Sequence, residues 1–216
     1  LNTETDELIL RLITGEIRSI FWTFLSEEER YNCQLELENI LIDKLDQSFP
    51  SNIKKTIFGL YKSVAYSDSG LLQLYDIWRG EKQIENLILN EDDLTSLAIH
   101  LAIYGHENAQ EILDKAKLAI KNKDRLERFE FLLPALSQDS EVRAAFFESF
   151  RNEKNREKEN WVLAACYYIH HPLRQSIAIN DLQTSLELLE VIQQTGDIFF
   201  PKAWLDNTIG LYTSQE

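Results

Sequence analysis

Four histidines, His100, His106, His170 and His171, are the side chains through which acid–base or metal chemistry near neutral pH would pass in this 216-residue chain. The run His106-Glu107-Asn108-Ala109-Gln110 comes near the His-Glu-x-x-His pattern, in which two imidazoles four residues apart share a helix face and reach one zinc ion. Gln110 stands where the second ligand is required, and Gly105 just before makes His106 read as the start of a helix. His170 and His171 are adjacent, about 100° apart on a helix, so regular geometry does not bring both to one ion. Beside Pro172 they read as a helix end, where imidazoles meet free carbonyls. There is no Gly-rich phosphate loop, no Gly-x-Ser-x-Gly elbow, and no cysteine with a histidine partner in its sequence context. Cys33 and Cys166 lie far apart and outside any Cys-x-x-Cys spacing, and are expected to be small buried hydrophobes, not a disulfide. Glu27-Glu28-Glu29 and Glu91-Asp92-Asp93 suit the first turns of helices, where the dipole favours negative charge. From these residues alone, no catalytic group, metal ligand or cofactor is expected in the chain, which reads as a non-catalytic helical scaffold.

The elements that would position any site are helices. Apolar positions recur at helical spacing through Ile9, Ile13, Ile17, Ile20 and Phe24, through Leu71, Leu74, Tyr75 and Trp78, and through Leu126, Phe129, Leu133 and Leu136. Ser26-x-x-Glu29 and Asn180-x-x-Gln183 read as capping boxes, and Asn90 as a cap before acidic first-turn residues. Trp161 to Ile169 is apolar all round and is expected to be a helix covered on both sides. Gly and Pro number only 7 and 4, about 5% against an average near 12%, too few turns for a sandwich or barrel of short strands. Breaks at Pro50, Ser67-Asp68-Ser69-Gly70, Gly80, Gly105, Ser137-Gln138-Asp139, Pro172 and Gly196 divide the chain into about ten or eleven helices with short links. With no composition shift to mark a linker, the expected fold is all-α: a single domain over residues 1–216, a right-handed α-α superhelix or solenoid of antiparallel HEAT-like helices.

Charge narrows the partners. A net charge of -14 argues against nucleic acid, whose phosphates reward a basic surface. The acid is uneven: residues 1–110 carry 9 basic and 19 acidic side chains, whereas Lys115–Lys158 carry 11 basic and 8 acidic. The longest apolar run, Trp161 to Ile169, is far below the roughly 20 residues of a membrane-spanning helix. Leu1-Asn2-Thr3-Glu4 holds no basic cluster or apolar stretch, so no secretory signal is read, and the chain is expected to be soluble, in cytoplasm or periplasm according to what precedes it. With no Met even at position 1, it is expected to be cut from a longer chain, or else written without methionines that it contains.

Three segments, Asn155-Arg156-Glu157-Lys158-Glu159-Asn160-Trp161-Val162, His170-His171-Pro172-Leu173-Arg174, and Thr195-Gly196-Asp197-Ile198-Phe199-Phe200-Pro201-Lys202-Ala203-Trp204-Leu205, carry a resemblance. In order and spacing the chain resembles the C-terminal helical domain of bacterial zinc aminopeptidases of the aminopeptidase N type, the gluzincin family. Weaker likeness runs through Ser26 to Arg30, Tyr75 to Gly80 and Asn90 to Gly105. The resemblance implies a parent enzyme, a metallopeptidase and hydrolase, with zinc in an upstream thermolysin-like domain. The HEAT-like C-terminal domain closes over it as a bowl, limits access to peptides with a free N-terminus and, in some members, meets the peptide's C-terminal carboxylate with basic residues. Arg156, Lys158, Arg174 and Lys202 are then candidates for substrate or interdomain contact; the structural alternative is salt bridging to Glu157, Glu159 or Asp197. Trp161 and Trp204 read as core, and Phe199-Phe200-Pro201 as a loop entering a helix, anchored by two rings. The implied partners are the upstream catalytic domain and, through the parent, a peptide substrate. The alternative is an independent solenoid whose concave face binds a protein or peptide, with polar caps on both terminal helices.

Overall fold

The computed structural model describes residue 4 and residues 6–212; Leu1, Asn2 and Thr3, on which the reading of the N-terminus partly rests, lie outside them. The described residues are all-α, with no strand. They divide into two compact units, Leu1–His106 and Glu107–Glu216.

The first unit contains α1 (Glu7–Ser19), α2 (Glu27–Leu45), α3 (Ser51–Val64), α4 (Asp68–Arg79) and α5 (Glu91–Ile103). Caps set the starts: Asp6 accepts from the N–H groups of Leu8 and Ile9, and Ser26 and Asn90 each close a reciprocal box with the carboxylate three residues on. Gly80 and Gly105, at φ 77° and 78°, take the left-handed conformation that ends α4 and α5. The α1 helix runs on into a widened π-helical turn, Ile20–Phe24, whose closing bond joins the Leu25 N–H to the Ile20 carbonyl. That turn places Phe21 and Trp22 inside, Trp22 against Tyr66 and Tyr104, with its indole N–H donating to the Ser63 carbonyl at 2.7 Å. Helix α1 packs on α3, which also meets α2 and α5, and α4 packs on α5.

A buried carboxylate fixes the joint between α2, α3 and α4. Glu38 accepts from the backbone N–H groups of Tyr66 and Ser67 at 3.1 and 3.0 Å and from the Ser67 hydroxyl, while Ser67 caps α4 by accepting from Gly70 N–H. One carboxylate thus satisfies three donors at the corner where α3 ends and α4 begins.

The second unit contains α6 (Ala109–Ala119), α7 (Lys123–Leu136), α8 (Ser140–Glu148), α9 (Glu159–Ile169), α10 (Gln175–Ala178), α11 (Leu182–Thr195) and α12 (Phe200–Asp206), with short 3-10 turns around α10 and after α8 and α12. Helix α9 packs on α7, α8 and α12, and α11 on α12. Of the run Trp161 to Ile169, Val162, Ala165, Cys166 and Ile169 are buried and the other side chains half-buried, so one face of α9 is sealed and the other only partly covered. Asn180-x-x-Gln183 forms no capping box: the Asn180 amide donates to the Ile177 carbonyl and Gln183 to Glu187. The 3-10 turn Ile179–Asp181 leads straight into α11, so its first turn needs no side-chain cap. Cys33 is half-buried and Cys166 buried, both as free thiols.

Replacing Glu38 with Ala leaves the Tyr66 and Ser67 N–H groups unpaired and removes the carboxylate from the Ser67 hydroxyl, which keeps Ser69 as a partner. It is expected to destabilise the first unit by about 2–4 kcal/mol, read as a fall in the urea midpoint; a midpoint equal to wild type would contradict the role given to Glu38.

Candidate functional site

The three family-like segments all lie in the second unit, and the structure brings two of them together. Glu159, at the start of α9, accepts from Asp197 N–H at 2.8 Å, and Arg156 reaches Thr195 Oγ1 at 3.5 Å. Gly196 is required there by proximity: a Cβ on it would fall 2.7 Å from the Phe200 ring and 2.9 Å from the Ile192 carbonyl. The third segment, His170 to Arg174, sits at the far end of α9.

The four candidate cations separate into two kinds. Arg156 and Arg174 are buried, and each folds its guanidinium back onto carbonyls at a helix end. Arg156 donates to the carbonyls of Phe150 and Arg151. Arg174 donates to Tyr168 at 3.3 Å, at the end of α9, and to Ala135 and Leu136 at 2.8 and 3.5 Å, at the end of α7. Arg143 takes the next two carbonyls, just past the end of α7, Ser137 at 2.7 Å and Gln138 at 3.0 Å, so two arginines hold four successive carbonyls. Burial, reinforced by the like charge of Arg143, pulls the Arg174 pKa down to about 9, which leaves it protonated at neutral pH. Lys158 and Lys202 are exposed: the Lys158 ammonium lies 5.7 Å from the Trp161 ring centre, and Lys202 pairs with Asp206 at 2.5 Å. Carbonyls at helix ends thus receive both arginines; the sequence signal for this is a short link with no glycine to turn it.

Trp204 is fully buried, stacked on Phe147 at 5.6 Å, and its indole N–H donates to the Ser185 carbonyl. Trp161 is half-buried against Phe131. Phe199-Phe200-Pro201 departs from expectation: Pro201 does stand in the first turn of α12 and Phe200 is buried, but Phe199 is 77% exposed, next to exposed Ile198. One ring anchors the loop and the other is bare, because α12 turns inward only from Phe200.

The histidines also differ from their reading. His106 does not start a helix; it is buried against the Tyr75 ring at 4.4 Å, and α6 begins three residues later. His171 accepts from Leu173 N–H. His170 is fully buried, edge-on to Phe147, with Nδ1 3.0 Å from the Tyr212 hydroxyl and Nε2 without a hydrogen-bond partner among the described residues. Burial holds its pKa down at about 4. The His170 imidazole meets a hydroxyl and not the helix-end carbonyl expected; its partner is 42 residues away, beyond the reach of local spacing. No group of three or more His, Cys, Asp or Glu side chains able to hold a metal occurs among the described residues, and no described helix is long and apolar enough to cross a membrane.

Apolar surface is the other notable feature. On α1 and the π turn, Leu8, Leu12, Ile9, Ile20 and Phe24 are exposed, Leu8 at 76% and Phe24 at 75%. Leu8 and Leu12 are one turn apart, on the side away from Leu10 and Thr14, which are buried. No protein-family model, curated protein or solved structure matches this chain.

Two outcomes follow from the buried groups. Arg174→Met is expected to cost about 2–4 kcal/mol because it strands carbonyls at two helix ends, whereas Lys202→Ala, breaking an exposed pair, should stay within about 0.5 kcal/mol; equal urea midpoints for the two variants would refute the distinction. His170 is neutral in the fold and takes up a proton near pH 6.5 once unfolded, so it makes stability fall as pH drops from about 6.5 toward 4, by up to about 1.4 kcal/mol per pH unit. His170→Gln should flatten the curve between pH 6.5 and 5; a curve parallel to wild type would show that His170 titrates normally.

Proposed function

We propose that this chain is the C-terminal, non-catalytic helical domain of a bacterial zinc metallo-aminopeptidase. In this reading it caps an upstream domain that holds the zinc, restricts access to peptides with a free N-terminus, and presents exposed cations, Lys158 and Lys202, toward the peptide's carboxyl end or the catalytic domain. The all-α architecture is compatible with it, and the three segments from Asn155 to Leu205 support it by resemblance.

The observation that carries the reading is the bare apolar edge of α1 and the π turn after it: Leu8, Leu12 and Phe24, largely exposed. An independent scaffold needs a polar outer face on its terminal helices to stay soluble. A capping domain has a face that another domain of the same chain covers, and an isolated piece leaves that face exposed. The second reading, a free-standing solenoid that binds a protein or peptide, would require the opposite pattern on α1.

The test is a peptidase assay with zinc on fluorogenic aminoacyl substrates, comparing this 216-residue chain with the product of the complete gene that contains it. Cleavage by the long product alone, stopped by a chelator, is the expected result. A gene encoding little more than these residues, or an inert full product, would overturn the proposal.

A further inference from the structure

A second feature of the first unit lies outside the family-like segments and is independent of the capping reading. Between α1, α3 and α5 runs a groove of about 580 Å³. The chain has 36 acidic and 22 basic residues, yet no Asp or Glu lines this groove, whereas Arg11, Arg18, Lys55, Lys62 and His100 do. Two of these cations are matched by carboxylates close by: Arg11 pairs with Glu7 at 2.5 Å and Lys55 with Asp93 at 3.0 Å. Arg18 and Lys62 have no carboxylate within ion-pair distance among the described residues, and the Lys62 ammonium donates only to the Ser96 hydroxyl, at 2.8 Å.

Cations outnumber the carboxylates beside them there. Burial lowers the Lys62 pKa, Asp93 opposes this and Arg18 adds to it. His100, its Nδ1 2.7 Å from the Ser96 carbonyl, is held down at about 4 by burial and by Lys62 and Arg18. The floor is open. A Cβ placed on Gly15 or Gly59 would meet nothing within 4 Å, so two interior helix positions carry glycine although no neighbour forbids alanine. A glycine inside a helix costs about 1 kcal/mol relative to alanine, and here it keeps the groove deep.

We propose that the α1–α3–α5 groove is a binding site for a phosphate monoester, with Arg18 and Lys62 as its charge partners and Ser96 and His100 beside them. The class follows from charge matching. A phosphate monoester carries about -1.5 to -2 charges at pH 7 and three acceptor oxygens, which matches two uncompensated cations; a carboxylate carries one charge and leaves the second cation unmatched. An Arg fork and a Lys point charge are complementary ways of holding such an oxyanion. The groove volume leaves room for the organic part of the ligand.

The experiment is titration of the 216-residue chain with glycerol 3-phosphate, inorganic phosphate and acetate, followed by calorimetry and by the His100 ring resonances. Saturable binding of both phosphates with movement of the His100 signals is expected, with acetate at least about tenfold weaker. Lys62→Met and Arg18→Gln should each weaken phosphate binding by about tenfold. Gly59→Leu, which leaves every charge in place and favours the helix, should block the groove by volume, so the location stays testable even if a charge variant unfolds. Acetate binding as tightly as phosphate would overturn the ligand class. Affinity unchanged in Lys62→Met and Gly59→Leu would overturn the location, and the absence of saturation by either phosphate would overturn the site.

Discussion

Helix ends leave backbone carbonyls unpaired, and a chain with seven glycines has few of the left-handed turns that normally satisfy them. Here buried cations do much of that work. Arg30 returns to the carbonyl of Leu25, Arg143 to Ser137, Arg156 to Phe150 and Arg174 to Tyr168, each five or six residues back across a helix break. Buried Lys54 serves a link in a similar way, donating to the Glu85 carbonyl between α4 and α5 at 2.6 Å. Burying a guanidinium is costly in isolation. The negative ends of helix dipoles and charge-assisted hydrogen bonds offset that cost. Each such bond is worth about 1.5–3 kcal/mol, which explains how short, glycine-poor links hold one angle between consecutive helices.

This constraint decides where functional surface can lie. An arginine committed to helix-end carbonyls is part of the frame, so Arg156 and Arg174 serve the link regions that they follow. Of the four candidate cations, Lys158 and Lys202 face outward, and the tip of Ile198 and Phe199 is bare beside them in sequence. In the first unit outward chemistry falls to the apolar edge of α1 and to the groove with its two unmatched cations. Arg30 shows the frame at its fullest: its guanidinium lies 5.5 Å from the Trp22 ring centre and closes the π turn at Leu25, the turn that swings Phe21 and Trp22 into the core.

Much of the fold was legible because its signals are local. Helical periodicity, the boxes at Ser26 and Asn90, and the stops at Gly80 and Gly105 act within one turn of the residues that carry them. What stayed hidden depends on contacts distant in sequence or on a change of helical type. The π turn breaks the 3.6-residue period without any Gly or Pro to announce it. His170 meets Tyr212, and Glu38 meets Ser67, across 42 and 29 residues. Asn180 resembled a cap because spacing alone does not reveal that the preceding turn is already helical. The candidate cations were found as residues, but their direction was not, since an arginine after a helix break can turn to solvent or fold back on the carbonyl behind it.

Whether another part of a longer chain covers α1 separates a capping domain from a free-standing solenoid. Hydrogen–deuterium exchange on the 216-residue chain and on the complete gene product tests this directly. The prediction is that amides of Glu7 to Phe24 exchange markedly more slowly in the complete product, while those of α3, already enclosed in the first unit, change little. Equal exchange of α1 in both proteins would show that its apolar edge faces solvent in the whole molecule, and would contradict the assignment of this chain as a capping domain.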